Sequence, residues 1–340
     1  MRLILDESLA KLKEFSSRDL NNLAYSLSIL GIAHAPLMHE IFKELSIRIK
    51  EHFKNPLSKL EGSEIAVMIW SLAVLNFGPL MSEEDKIDLT NSINELIAKE
   101  VYFQDFELLN LTWGAVVLGT YPTLLLEKMI TVFEETRAVG GWESQQEGAM
   151  LYIQTISQLD PVCLEIFDFP TVVTGLYDEE DDDIDDDADI IDSEQALQPS
   201  HLQSSRFQSS VFETFKGILS KEAGHIDIQE EYPIECLYVD IAIPEENLVI
   251  ECDGPSHYCI PIHLDLSKDV QEDMSNKNPA LWSLRKDWNN GATALKDRML
   301  QLMGWRVLHV PYWEWNEARR AGQEERERHL KSLLFSELNL

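Results

Sequence analysis

The sequence predicts a multidomain chain in which an all-α helical-repeat solenoid precedes a smaller α/β domain. Three observations support this. Three segments superpose on an aromatic residue, Leu20-NNLA-Tyr25-SLSIL-Gly31, Ile65-AVMI-Trp70-SLAVL-Asn76 and Leu108-LNLT-Trp113-GAVVL-Gly119, at offsets of 45 and 43 residues, and a weaker copy lies around Tyr152. Twelve acidic residues between Asp178 and Glu194 separate this region from the C-terminal part of the chain. Beyond them two strand-type runs, Leu237 to Ile243 and Leu248 to Asp253, flank the turn-forming Pro244-Glu245-Glu246-Asn247.

Residues 1–176 read as helices. Each repeat copy ends in Gly or Asn, as a helix C-terminus prefers. Amphipathic stretches run between the copies, for example Leu37 to Ile49 with Ile41, Leu45 and Ile49 at four-residue spacing. A helix pair recurring every 40-odd residues is the pattern of an α-solenoid. Residues 177–205 cannot bury enough apolar area to order themselves and read as an acidic linker. In 206–340 a helix, Phe207 to Leu219, comes before the hairpin. A second helix, Thr293 to Met303, is closed by Gly304, and Trp305 to Val310 alternates as a strand ended by Pro311. Trp313 opens a final charged helix to about Leu338. The order α-β-β-α-β-α predicts a small sheet flanked by helices.

Composition narrows the function. The chain has 340 residues, of which 44% are hydrophobic and 26% charged, as in a globular protein. It has no apolar run of membrane-spanning length. Neither a signal-peptide core nor an Arg/Ser-rich leader is visible at the start. The net charge of −32 divides into −12 before the tract, −12 in it and −8 after it. Any nucleic-acid surface must therefore be local, and its binding modest or strongly salt-dependent. Four cysteines without a CxxC pair suit a reducing compartment.

The hairpin carries the chemistry. With Ile243 facing Leu248, counting back sets Asp240 opposite Glu251, and alternation puts Asp253 on that face and Ile250 and Cys252 on the other. Three carboxylates on one face of an otherwise apolar strand pair require a cation, a donor or a proton. Cys252, His257, Cys259 and His263 are an alternative zinc set, although their spacing matches no common finger.

Residues 232–338 resemble the RAP domain, which also occurs in FAST-kinase-like and plastid proteins. The motifs that carry the resemblance are Val239-Asp240-Ile241-Ala242, Glu251-Cys252-Asp253-Gly254-Pro255-Ser256-His257, Leu295-Lys296-Asp297-Arg298, and Gly304-Trp305-Arg306-Val307 with Val310-Pro311-Tyr312-Trp313-Glu314-Trp315. The helices upstream look like the octotricopeptide-type repeats that precede such domains. The resemblance implies a fold akin to very-short-patch-repair and PD-(D/E)xK (restriction-endonuclease-like) nucleases. It also implies action on single-stranded RNA in mitochondria or plastids, in transcript processing, stability or rRNA maturation. In a Mg²⁺-dependent endoribonuclease of this kind Asp240 and Glu251 would be the metal ligands, Asp253 an auxiliary ligand and His257 the acid/base. Lys296, Arg298, Arg285, Lys286 and Trp313 are the candidate RNA contacts. Two departures stand out: the stretch between His257 and Thr293 is longer than usual, and Asp297 stands where a basic residue is common. The rival expectation is a scaffold that binds a protein partner through the solenoid and carries an inactive nuclease fold.

Overall fold

The computed structural model describes residues 1–55, 60–173, 205–222, 226–262 and 288–338. They form two compact units, the first from within 1–198 and 259–294 and the second from within 199–258 and 295–340. The acidic tract lies outside the described residues, as do Arg285, Lys286 and His263.

The first unit is a helical solenoid. Its helices are α1 (Arg2–Lys11), α2 (Ser17–Ile29), α3 (Ala35–Lys54), α4 (Gly62–Val74), α5 (Glu83–Ala98), α6 (Asp105–Val117), α7 (Thr123–Arg137), α8 (Ser144–Leu159) and the short α9 (Pro161–Leu164), with a two-residue strand β1 (Ile32–Ala33). One layer packs α2 on α4, α4 on α6 and α6 on α8, and the other packs α1 on α3, α3 on α5 and α5 on α7. The repeat signal comes from the first layer. Capping boxes start α2 (Ser16, Asp19), α4 (Glu61, Glu64), α6 (Gln104, Glu107) and α8 (Glu143, Gln146), always nine and six residues before the column aromatic. That register makes α8 the fourth copy, aligned on Tyr152. At the other end Gly31, Asn76 and Gly119 take left-handed φ of 59°, 54° and 76°, which is why Gly or Asn recurs there. Gly114 lets α6 approach α4 closely, since a Cβ there would lie 3.2 Å from the backbone of Ile69 and Trp70.

The second unit contains α10 (Arg206–Glu222), β2 (Gln229–Ile234), β3 (Leu237–Ile243), β4 (Leu248–Asp253), most of α11 (Gly291–Leu302), β6 (Arg306–Pro311), α12 (Tyr312–Ala321) and α13 (Gln323–Leu338). The sheet order is β2-β3-β4-β6, antiparallel except for β4 and β6. Ile243 pairs with Leu248, as the turn requires, and Asn247 closes that turn with φ of 48°. Ile241, Ile243, Leu248, Ile250 and Cys252 share a core with Val211, Phe215, Trp315 and Leu330 from α10, α12 and α13. Cys252 thus faces apolar side chains, as strand parity predicts; among the described residues, which do not include His263, no group of three His, Cys, Asp or Glu is placed to hold a metal. Two elements differ from the sequence reading. The strand β2 had no alternation to announce it, and the last helix divides at Gly322, whose φ of 116° no continuous helix allows.

Residues 259–262 and 288–290, together with the start of α11, pack into the first unit. The strand β5 (Ile260–Pro261) pairs in parallel with β1, and Ile260 N–H donates to Gly31 O at 2.6 Å and Ile262 N–H to Ala33 O at 2.9 Å. Cys259 N–H donates to Trp288 O at 2.9 Å, and Trp288 Nε1 donates to Leu75 O at 2.8 Å, satisfying a carbonyl at the end of α4. Trp288, from the long stretch between His257 and Thr293, thus serves the helical fold. No described helix is long and apolar enough to cross a membrane.

Candidate functional site

The sheet face opposite the core carries ionisable residues in one row. Extending the strand registers sets Glu231 of β2 opposite Asp240 of β3, Asp240 opposite Glu251 of β4, and Glu251 opposite His309 of β6. The β2–β3 ladder skips Glu231 and Asp240, and the β3–β4 ladder stops at Ile241 and Ile250, so Asp240 lies in a gap between both. Its carboxylate accepts the Cys252 N–H at 2.6 Å instead. Glu231 has left-handed φ of 52°, and the buried Gln208 amide from α10 donates to its carboxylate and, at 3.3 Å, to Asp240 O. A non-glycine residue held in that region is stored strain of the kind found at functional sites.

Helix α11 supplies the compensating charge. Lys296 Nζ lies 2.7 Å from Glu251 Oε2, and Glu251 Oε1 is buried without a hydrogen-bond partner among the described residues. Asp253 accepts from Tyr258 OH at 2.8 Å, contacts His309 Nδ1 at 2.7 Å, and has His257 Nδ1 3.3 Å from its other oxygen. His309 Nε2 in turn reaches Asp297 at 3.2 Å.

The electrostatics follow from burial. Asp240 is desolvated beside the Glu251 charge, which together push its pKa up to about 7 against the pull of Lys296 and the Cys252 N–H. Asp240→Asn keeps an oxygen for Cys252 and removes the charge. A carboxyl with a raised folded pKa favours the native state below its ordinary value of 3.8, and that contribution is lost as pH rises through about 7. The variant is therefore expected to melt several degrees above the parent at pH 8 and level with it at pH 4. Equal melting at pH 8 would contradict this assignment.

Burial alone would lower the His309 pKa, but hydrogen bonds to Asp253 and Asp297, and their charges, hold it at about 10. Its stabilisation is full below 6.5 and is lost as pH rises toward 10. The melting difference between the parent and His309→Asn should thus be widest near pH 6 and narrow by pH 9.5. A constant difference would show that His309 is neutral throughout.

The structure places the sequence candidates unevenly. Asp240 and Glu251 come together. Asp253 lies on the same face, engaged by Tyr258 and two histidines. His257 is the most open member, with 36% of its side chain exposed. Lys296 is tied to Glu251. Arg298 is half-buried, and Trp313 is half-buried edge-on to Tyr258 at 4.6 Å and Tyr312 at 5.3 Å. Asp297, the odd residue of its motif, is the second carboxylate on His309. Sequence reasoning missed Glu231, Gln208 and His309. The alternation Trp305 to Val310 does put His309 on one face, but which strand it would meet is not written locally.

The fold and this network define a class: a four-stranded α/β domain with a carboxylate–lysine–histidine cluster under one helix, carried on a chain with a helical-repeat unit. Residues 250–333, from the middle of β4 into α13, match the model of the RAP domain, so the chain carries a RAP domain and with it a general association with RNA binding. No curated protein matches the chain.

Proposed function

We propose that this chain is an RNA-binding factor of mitochondrial or plastid RNA metabolism whose α/β unit receives single-stranded RNA. The RAP match, which spans Glu251, Lys296, His309 and Trp313, carries the reading. Trp313, beside Tyr258 and Tyr312, supplies a stacking edge for a base, and Arg298 a cation for a phosphate. The five acids of the cluster confine this surface to a small patch, so binding is modest. Photo-crosslinking of 4-thiouridine RNA to the full chain tests it. Adducts are expected on the peptide holding Trp313, and sequencing of RNA recovered from cells would name the transcripts; adducts absent from the α/β unit would overturn the proposal.

A second reading, a Mg²⁺-dependent endoribonuclease, is favoured by one observation: Asp240, Glu251 and Lys296 form a carboxylate–carboxylate–lysine set in which one buried Glu251 oxygen has no hydrogen-bond partner among the described residues. Asp240 and Glu251 fit Mg²⁺, which commonly takes one or two carboxylates plus substrate phosphate; Asp253, committed to Tyr258 and His309, does not. Bound Mg²⁺ would polarise a phosphate oxygen. Lys296 would hold the phosphate and the partly exposed His257 would carry the proton. Cleavage of a labelled RNA with Mn²⁺, abolished by Asp240→Asn, is the expected result. Absence of cleavage in the parent would leave an RNA-binding domain with an inactive nuclease-like cluster.

A further inference from the structure

The repeat aromatics mark more than a helix register. Leu20, Ile65 and Leu108, five residues earlier, are buried and hold the layer together. Tyr25, in contrast, is 48% exposed, and Trp70, Trp113 and Tyr152 at the same position are half-buried. Tyr25 and Trp70 come within 6.2 Å between ring centroids across adjacent helices, so the column is continuous there. One turn before the ring, Asn22 is exposed and Asn110 half-exposed, and neither side-chain amide is engaged by another described residue. Large aromatics left partly open at one repeated position, two of them (Tyr25 and Trp113) following an Asn by one turn, are what an interface anchor looks like.

Charge selects the occupant. Helices α4, α6 and α8 contain no Lys or Arg, while Glu64, Asp105, Glu107 and Glu147 lie on them. Residues 60–173, which carry Trp70, Trp113 and Tyr152, contain eighteen acidic and four basic residues, whereas residues 1–55, which carry Tyr25, contain seven and eight. A phosphate backbone needs several cations, and this layer offers only Arg18 of α2. Lysine or arginine side chains, by contrast, gain from both parts of the surface. Their stems and charged heads lie on aromatic faces and the net negative charge of residues 60–173 attracts them, while the Asn amides pair with an extended backbone.

We propose that the column Tyr25–Trp70–Trp113–Tyr152 binds an extended, lysine- and arginine-rich peptide segment of a protein partner. This goes beyond the RNA-binding assignment, which concerns the α/β unit, and either can fail alone.

The test uses the full chain with the twelve acids of 178–194 changed to Asn or Gln, so that the tract does not compete. The probe is a fluorescein-labelled (Lys-Arg)4 peptide, followed by anisotropy, with (Ser-Glu)4 and oligo(U)15 as competitors. Binding is expected to weaken about fivefold for each of Tyr25→Ala, Trp113→Ala and Asn110→Ala, and to weaken further in high salt. Trp70→Phe, which keeps a ring, should bind like the parent. Tyr25→Ala and Asn110→Ala are expected to melt with the parent, which separates lost contact from lost fold. The proposal is overturned if these variants bind the peptide unchanged, or if oligo(U)15 displaces the peptide and itself loses binding in the same variants. The RNA assignment is read separately, from oligo(U)15 binding to Trp313→Ala.

Discussion

Replacing Lys296 with methionine is expected to destabilise the α/β unit by about 3–5 kcal/mol, the usual consequence of stranding a buried charge. Glu251 sits on a central strand with its side chain 5% exposed, and Lys296 is 26% exposed and reaches it at 2.7 Å. Without the ammonium, the Glu251 carboxylate is left without that partner in a place 5% exposed, beside Asp240. Native-like packing cannot answer this, because the helix above the row is fixed by the buried Leu295 and Met299. The second substitution Glu251→Gln should restore most of the loss, giving a coupling energy of several kcal/mol in a double-mutant cycle followed by urea unfolding. Additive effects would mean that the two groups do not hold one another.

Gly291→Ala is the second large effect, in the other unit. A Cβ at Gly291 would stand 1.9 Å from the Ala73 carbonyl oxygen and 3.1 Å from Val117 Cγ1. The first obstacle is backbone at the end of α4 and cannot rotate away. Overpacking of this kind costs about 3 kcal/mol or more when the backbone must give. The segment 288–291 can escape only by letting go of its neighbours, so amide exchange at Ile260 and Ile262 should accelerate together with the fall in melting temperature. Gly217 is the internal control: it lies in the interior of α10 with nothing within 4 Å of its missing Cβ, so alanine there should stabilise slightly. If both substitutions behave alike, the docking of this segment is misassigned.

These two sites show what the sequence could and could not announce. The hairpin was readable to the residue, because a short turn between two apolar runs leaves one register and alternation then places Asp240, Glu251 and Asp253. The repeat layer was readable for the same local reason. The capping pairs Glu61 with Glu64, Gln104 with Glu107, and Glu143 with Gln146 were present too, but as acidic or amide residues rather than the Ser or Thr that usually advertises a helix start. What stayed hidden depends on long-range pairing. Lys296 looks like a phosphate ligand until α11 lies over β4, and His309 is an ordinary strand residue until β6 pairs in parallel with β4. Glu231 belongs to a strand whose left-handed residue hides its periodicity. The role of Trp288 at the end of α4 has no local signal at all.

The central claim is that RNA is held by the α/β unit beside this cluster. Its most direct test is the anisotropy of labelled oligo(U)15 on the full chain at low salt, comparing the parent with Trp313→Ala. Loss of one stacked base predicts binding weakened by about tenfold, with a shallow salt slope from few phosphate contacts. No binding by the folded parent, or equal binding by the two proteins, would contradict it.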